Sequence, residues 1–267
     1  MSKVKTEISG TIATVTLNRP ERRNALDLDL IRALVAAGEA LAQRSDIRAV
    51  LLTGAGGTFS SGLDLAAMGK IAAFAAQEGG IMARSHGIAN LFQRASTVWA
   101  DLPMPVIAAI EGYAFGGGLQ IALGADIRVA APDAGFSIME AKWGLVPDMG
   151  GMVALRRLVR ADVLAQLALT ARIFDGEQAL KWGFVTELAG DPQARASALA
   201  GEIAERSPDA VRGIKALIRQ AFAADDAALL LAESAAQEAL IGGPNQMEAV
   251  LAGMENRRPR FSDPEPS

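Results

Sequence analysis

The side chains best suited to chemistry in this chain are carboxyl groups, because two other common catalytic types are almost absent. The chain contains no cysteine, and His86 is its single histidine. Without cysteine there are no disulfides, thiolate nucleophiles or cysteine-ligated metals, and one histidine argues against a zinc centre. We therefore expect no metal site. Carboxyl groups can accept and donate protons, and the chain has 30 aspartate and glutamate residues.

Two glycine-rich loops each follow a short apolar strand. The first runs from Gly54 to Leu65 and the second from Gly112 to Gln120. Glycine is needed where φ is positive or where two backbones approach closely. The first loop lacks the lysine of a phosphate-binding P-loop, and the second lacks the spacing and acidic partner of a dinucleotide-binding motif. Nucleotide hydrolysis and NAD binding are thus disfavoured, while an ordinary structural turn remains the alternative for each loop taken alone.

Alternating strand and helix patterns surround these loops and predict an α/β fold. Apolar residues recur at every second position in short segments and at helical spacing in longer ones. The predicted strands are residues 4–8, 12–17, 48–53, 106–110, 126–130 and 135–138. The helices predicted before residue 150 are 27–44, a long Ala-rich stretch from 66 to 99, and a buried helix at 119–124.

After Gly150 the pattern is almost wholly helical. Ser207-Pro208 is predicted to start one helix, and Gly242-Gly243-Pro244 to separate two more. The composition divides near residue 200 into an α/β core, residues 1–200, and a helical part, residues 201–267. Only the tail Ser262–Ser267 has the character of a disordered segment.

Charge and hydropathy disfavour several classes of partner. The formal net charge is −4, from 26 basic and 30 acidic residues. Both signs are scattered, so the chain has no electrostatic footprint for nucleic acid. The N-terminus has no apolar stretch behind a basic start, and nowhere do 18 apolar residues run uninterrupted. We therefore expect a cytoplasmic protein that is neither secreted nor membrane-spanning.

Four segments, in this order, closely resemble motifs of the enoyl-CoA hydratase/isomerase (crotonase) superfamily. They are Phe59-Ser-Ser-Gly-Leu-Asp-Leu65, Ala108-Ala-Ile-Glu-Gly-Tyr-Ala-Phe-Gly-Gly-Gly118, Ala125-Asp-Ile-Arg-Val-Ala130, and Glu140 with Gly144-Leu-Val-Pro-Asp-Met-Gly-Gly151. The resemblance covers nearly the whole chain, roughly Val4 to Asp263. It implies a crotonase-like spiral of ββα units, followed by helices that pack on neighbours to make a homotrimer or a dimer of trimers. It also implies an acyl-CoA substrate and no separate cofactor, since coenzyme A enters as part of the substrate.

In this family two backbone N–H groups bind the thioester oxygen, and the matching positions here are Leu63 and Gly117. An enolate concentrates negative charge on that oxygen, so preorganised donors stabilise it more than they stabilise the ground state. One such donor is worth roughly 3 kcal/mol or more of the barrier. The resemblance therefore implies an enzyme that holds a thioester enolate in a backbone oxyanion hole.

The proton-handling residues depart from the hydratase pattern. Hydratases of this family use two glutamates, and the matching positions here hold Gln120 and Glu140. An amide cannot exchange a proton at neutral pH, although it can orient a water or a substrate group. Asp148 matches a position where the family's dienoyl-CoA isomerases carry a proton-shuttling aspartate, but those isomerases also have an acid in place of Gln120. The alternative for Asp148 is that it caps the helix beginning near Gly150.

We therefore expect Glu140 and Asp148 to shift a double bond, with addition of water to a 2-enoyl-CoA still open. Burial beside an apolar acyl pocket is expected to raise both pKa values. Other thioester chemistry, dehalogenation or hydrolysis, is an alternative, because aroyl-CoA dehalogenases place a nucleophilic aspartate at the Asp148 position. Those enzymes have tryptophan where this chain has Glu140. A non-catalytic acyl-CoA-binding protein is the alternative of another class.

The resemblance also implies where coenzyme A would bind. The residues expected to border the adenine are Ser61, Leu63, Asp64 and Leu65. Arg22 or Arg23 would approach the phosphates, where basic side chains make physical sense. A solvated basic turn is the alternative for these two arginines. The C-terminal residues Arg257–Phe261 are either a further part of a neighbour's nucleotide site or a charged, frayed terminus.

Overall fold

The computed structural model describes residues 2–77 and 80–264 and is built around a central sheet. Its strands are β1 (Val4–Ser9), β2 (Ile12–Leu17), β3 (Ala49–Gly54), β4 (Val106–Ile110), β5 (Tyr113–Phe115), β6 (Ile127–Ala130), β7 (Gly135–Ser137) and β8 (Glu187–Leu188). Six of them form one sheet in the order β1-β2-β3-β4-β6-β8, while β5 and β7 pair separately. Strand β1 is antiparallel to β2, and the other pairs are parallel.

The strands separate two apolar layers. In β2 the side chains of Ala13, Val15 and Leu17 are fully buried, as the alternating pattern predicts. Strand β3 is buried along its whole length: Val50 and Leu52 belong to the main core, while Ala49 and Leu51 join a smaller cluster on the opposite face. Because β3 and β4 are parallel neighbours, the two glycine-rich loops that follow them leave the same edge of the sheet.

The helices cover both faces of the sheet and then extend beyond it. They are α1 (Leu28–Ala42), α2 (Met68–Ala75), α3 (Leu91–Asp101), α4 (Gly117–Ala122), α5 (Gly151–Leu158), α6 (Ala161–Thr170), α7 (Gly176–Trp182), α8 (Pro192–Ala204), α9 (Pro208–Gln220), α10 (Asp226–Leu240) and α11 (Pro244–Met254). Helix α1 begins at the Asp27 cap, whose carboxylate accepts the Leu30 N–H at 2.9 Å. Its buried face includes Leu30, Ile31 and Leu34, as the spacing predicts.

The single long helix predicted from 66 to 99 is wrong. The structure has α2, a 3₁₀ turn at Gly80–Met82, an irregular segment and then α3. Helix α3 starts afresh at a capping box, in which Asn90 accepts from the Gln93 N–H at 2.8 Å and Gln93 accepts from the Asn90 N–H at 3.0 Å. Gly87, at φ +65°, helps to turn the preceding segment, which contains His86.

The C-terminal elements follow the predicted breaks. Helix α9 starts at Pro208 after the Ser207 cap, and the glycine pair separates α10 from α11. The boundary predicted near residue 200 lies inside α8, which packs against β3, β4 and β6. The helices that leave the sheet therefore begin after Ala204. None of the helices in the described ranges has both the length and the hydropathy needed for a membrane span.

The tail is held in place where the structure describes it, so the predicted disorder is wrong there. The Ser262 N–H donates to Asn245 Oδ1 at 2.9 Å, and Asn245 Nδ2 donates to the Ser262 carbonyl at 3.0 Å. Residues 265–267, the remainder of the predicted disordered tail, lie outside the described residues.

Candidate active site

The two glycine-rich loops lie side by side at the edge of the sheet. Ser60 pairs with the β5 segment: its N–H donates to the Tyr113 carbonyl at 2.8 Å, and its carbonyl accepts from the Phe115 N–H at 3.0 Å. A Cβ atom on Gly62 would lie 2.6 Å from the Phe115 carbonyl oxygen, and φ of Gly62 is +85°. Only glycine fits both conditions. The sequence places Leu63 directly after this close contact.

The two backbone N–H groups predicted to bind a thioester oxygen have no backbone partner in the part of the chain that the structure describes. Leu26 bonds to the residues on either side of Leu63, accepting from Asp64 N and donating to the Gly62 carbonyl. Gly117 is the first residue of α4, where an N–H has no acceptor one turn earlier. Within the described residues, neither the Leu63 nor the Gly117 N–H donates to a protein acceptor. Both remain available to a ligand.

Two buried polar side chains hold the first loop, and the sequence interpretation missed both. Asn24 Nδ2 donates to the carbonyls of Ala55 at 2.9 Å and Thr58 at 2.6 Å. Ser60 Oγ donates to the Asn24 carbonyl at 2.8 Å and accepts from the Gly62 N–H at 3.2 Å. The sequence signal that could have indicated Asn24 was its position in the Arg22-Arg-Asn-Ala-Leu26 segment, directly before the apolar pair Ala25 and Leu26.

Glu140 opens a 3₁₀ turn, Glu140–Trp143, and its side chain is buried close to the start of α4. Its Oε1 accepts from Gln120 Nε2 at 2.6 Å. A Cβ atom on Gly116 would lie 3.3 Å from the same oxygen. Glu140 Oε2 is buried and has no hydrogen-bond partner among the described residues. Loss of solvent raises the pKa of Glu140, the Gln120 hydrogen bond opposes that rise, and the nearby Asp148 charge adds to it.

Gln120 joins three segments rather than facing open space. Its side chain is buried within α4. While Nε2 donates to Glu140, Oε1 accepts from the Met149 N–H at 2.9 Å and the Gly151 N–H at 3.0 Å. The amide is therefore committed to protein partners on both sides.

Asp148 lies in the loop between Glu140 and α5, and the predicted capping alternative is wrong. The N-cap of α5 is Gly150, at φ +86°, and no described side chain caps this helix. Taken over all its atoms, Asp148 is exposed to solvent. Neighbouring protein nevertheless displaces enough water from its carboxyl group to raise its pKa. The structure thus brings Gln120, Glu140 and Asp148 into one region beside the start of α4, and each carboxyl group has a raised pKa.

Comparisons with known proteins agree with this architecture. The sequence model of the family described as "Enoyl-CoA hydratase/isomerase" matches residues 7–264. The chain belongs to this family. A short-chain-enoyl-CoA hydratase of Clostridium acetobutylicum is 32% identical over 97% of each chain. A carnitinyl-CoA dehydratase of Salmonella enteritidis is 37% identical over 79% of this chain and 78% of the relative.

A solved structure gives the same assignment of fold. An enoyl-CoA hydratase from Mycobacterium tuberculosis H37Rv superposes with a TM-score of 0.86 and 31% identity, covering 98% of this chain and 99% of that one. The predicted crotonase-type α/β fold with C-terminal helices is therefore confirmed. The chain is an enzyme of the enoyl-CoA hydratase/isomerase family, with relatives named as a hydratase and a dehydratase.

The residues predicted to bind coenzyme A in this enoyl-CoA hydratase/isomerase family member come from two segments that a backbone hydrogen bond joins. The Ser61 N–H donates to the Arg23 carbonyl at 2.9 Å, which joins the basic turn to the first loop. Arg22, Arg23 and Leu65 are exposed. Asp64 is already committed within the chain: it accepts from Arg19 Nη2 at 3.0 Å and caps the Ala66 N–H at 3.1 Å.

The C-terminal segment lies away from this surface in its own chain, and it is not frayed. Arg257 pairs with Glu248 at 2.6 Å. Arg48 Nη2 donates to the Phe261 carbonyl at 2.9 Å. Arg48 directly precedes β3, whereas the first glycine-rich loop follows it. The segment therefore sits at the opposite end of the strand from the loops.

The described residues include no cluster of three or more His, Asp or Glu side chains that could hold a metal ion.

Proposed function

We propose that this enzyme binds an enoyl-CoA, holds the thioester oxygen between the Leu63 and Gly117 N–H groups, and shifts the double bond through an enolate. Glu140 is the general base. The observation that carries this proposal is its buried carboxylate beside the start of α4. One oxygen accepts from Gln120, and the other, Oε2, has no partner among residues 2–77 and 80–264. A single free carboxylate oxygen suits abstraction of one proton.

The pKa directions support acid/base roles for both carboxyl groups. Burial raises the pKa of Glu140 and of Asp148. A carboxylate with a raised pKa is a stronger base, and its acid form exists closer to neutral pH. In this proposal Glu140 takes the proton and Asp148 assists its return at another carbon. The reaction requires ionised Glu140, so its rate should rise with pH through the raised pKa.

Isomerisation is preferred to hydration because of Gln120. In the hydratases that this sequence resembles, a second glutamate at this position helps to add water. The Gln120 amide has no exchangeable acid proton at neutral pH, and its oxygen is occupied by two backbone donors. Hydration or dehydration is the second candidate, favoured by the names of the two relatives. Coenzyme A itself would bind along Arg22, Arg23, Ser61, Asp64 and Leu65, as part of the substrate.

Association of several copies belongs to the same proposal, with a homotrimer or a dimer of trimers expected. Helix α10 buries none of its residues within the described chain. Leu230, Leu231 and Met254 are strongly exposed. An exposed apolar surface of this kind is typical of an interface between subunits.

The test is incubation with a panel of 2-enoyl-, 3-enoyl- and dienoyl-CoA thioesters in heavy water, followed by chromatography and mass spectrometry. An isomer of the parent mass, or one carrying exchanged deuterium, supports the proposal. A product heavier by one molecule of heavy water would make hydration the reaction. Glu140→Gln should abolish exchange, whereas Glu7→Gln, an exposed position on β1, should not. No change with any thioester would overturn the proposal.

A further inference from the structure

The orientation of the Gln120 amide is determined by its partners. Two backbone N–H groups, those of Met149 and Gly151, point at one side-chain atom at 2.9 and 3.0 Å. Backbone donors need an acceptor, so that atom is Oε1. The amide nitrogen then faces Glu140 Oε1 at 2.6 Å and must donate to it. We call this set of three hydrogen bonds the Gln120 bridge.

The Gln120 bridge also fixes the loop that covers Gly117. A Cβ atom on Gly117 would lie 2.6 Å from Met149 Sδ, so the Met149 side chain packs directly on this glycine. A Cβ atom on Gly151 would lie 2.6 Å from Gln120 Cγ. Asp148 directly precedes Met149 in the chain. One amide therefore holds Glu140 directly and fixes the loop that carries Asp148 and contacts Gly117.

A carboxylate in place of the amide would behave differently. Its first oxygen could still accept from Met149 and Gly151, but its second would face Glu140 Oε1 at the distance now occupied by a hydrogen bond. Two carboxylates so close cannot both be ionised, so they would share a proton. The neutral Gln120 donor has the opposite effect, since it stabilises the ionised form of Glu140.

We propose that Gln120 is a positioning residue that restricts this site to proton transfer, because it holds Glu140 as the base and places no carboxyl group at its own position. It occupies Oε1, which directs Oε2 to the substrate, and it holds the Met149–Gly151 loop against the oxyanion site. This inference rests on the proposed function for the role of Glu140. It assigns to the amide the choice between proton transfer and hydration.

The charged surroundings leave few other groups to control Glu140. Among the described residues, Asp148 is the charged side chain with the largest effect on its pKa. Helix α6 packs against the Glu140 turn, but its Asp162 is exposed and paired with Arg160 at 2.7 Å. Lys142, on the same turn, is exposed and lies 5.3 Å from the centre of the Trp143 ring.

The test compares Gln120→Met, which keeps the size of the side chain but removes the bridge, with Gln120→Glu, which adds a carboxyl group. Gln120→Met should lower kcat by about 100-fold through misplacement of the base, with a smaller effect on KM. It should also move the acidic limb of the kcat pH profile upward, because the ionised form of Glu140 loses its donor. Gln120→Glu should gain water addition to a 2-enoyl-CoA at the expense of deuterium exchange. Unchanged pH profiles and product ratios in both variants would overturn the inference.

Two measurements without substrate separate this inference from the proposed function. Infrared titration of the protein, with Glu140→Gln subtracted, reports the ionisation of Glu140, which should occur at higher pH in Gln120→Met than in the unmodified chain. In the unmodified protein, the NMR signal of the Gln120 side-chain amide should shift with that titration and cease to do so in Glu140→Gln. If no thioester reacts, the proposed function fails, yet these titrations still show whether the Gln120 bridge acts on Glu140. An amide signal that does not shift as Glu140 titrates would count against the Gln120 bridge.

Discussion

The edge of the sheet that carries the two glycine-rich loops differs from the C-terminal helices α10 and α11 in whether its side chains find partners within the chain. At the edge, buried polar side chains such as Asn24, Ser60 and Gln120 bond to loops far away in the sequence. In α10 no residue is buried, and Leu231 is 72% exposed. The loops are therefore fixed by contacts within the chain, whereas the helices present apolar surface that the chain does not cover.

Asn24 beside the first glycine-rich loop and Asn256 after α11 show this difference between two residues of the same type and backbone conformation. Asn24 has φ +53° and Asn256 has φ +52°. Asn24 is fully buried and its side chain makes three hydrogen bonds, while Asn256 is exposed after α11. Both residues adopt the left-handed region, which favours asparagine over most other side chains. The two residues therefore differ in burial and in side-chain contacts, but not in backbone conformation.

Replacing these asparagines by alanine should produce the largest difference in stability. Asn24→Ala should lower the free energy of unfolding by about 3 kcal/mol, since it leaves two partly buried carbonyls and one partly buried N–H without their partner. Asn256→Ala should lower it by about 1 kcal/mol, the cost of the left-handed conformation. Urea denaturation of both variants measures the two losses. Equal losses would mean that the loop contacts contribute no net stability.

A smaller effect is expected at Lys215 on α9, which joins the helical part to residues that lie just before β4 and β6. Its ammonium group is buried, pairs with Asp126 at 2.7 Å and donates to the Met104 carbonyl at 2.9 Å. Beside it lies a cavity of about 430 Å³ with apolar walls that include Ile214 and Phe222. The contacts of Lys215 thus tie the helical part to the core.

Lys215→Met should cost about 2 kcal/mol of unfolding free energy. This is below the usual loss for breaking a buried pair, because the Asp126 side chain retains 30% exposure and methionine preserves the packing. Arg219→Met, which removes the more exposed pair with Asp101, should change it by less than about 1 kcal/mol. Thermal unfolding compares the variants. If Arg219→Met is the more damaging change, the buried pair is not what anchors α9.

Periodicity predicted the elements whose burial is decided locally. The alternation of Ala13, Val15 and Leu17 gives β2, and helical spacing together with the Asp27 cap gives α1. The long helix reaching Trp99 was wrong because alanine favours helix throughout that stretch, whereas the capping box at Asn90 interrupts it. Composition averaged over the stretch does not reveal the helix start at Asn90, which depends on specific side-chain hydrogen bonds.

The sequence predicted candidate site residues, whose roles stay predictions, but it did not predict the contacts between them. The motifs located Leu63, Gly117 and Glu140, which the fold brings near one another. The partners of Gln120 are 29 and 31 residues away along the chain. No periodic pattern encodes such a contact. The alternative role of Asp148 as a helix cap is excluded by the same kind of distant contact, since the acceptor for the Gly151 N–H comes from α4 rather than from the adjacent loop.

The smallest effect on the stability of the single chain is expected on the exposed face of α10. Leu231→Glu should change the unfolding free energy of the dissociated chain by less than about 0.5 kcal/mol, because the side chain makes few contacts within it. If copies associate through α10 as proposed, the same change should lower the mass measured by light scattering or sedimentation, since a buried charge opposes an apolar interface. Ile8→Glu, at a half-exposed position on the edge strand β1, adds the same charge elsewhere and should leave that mass unchanged. If both variants keep the mass of the unmodified protein, α10 does not form the interface. Its apolar residues would then be exposed in the assembled enzyme as they are in the single chain.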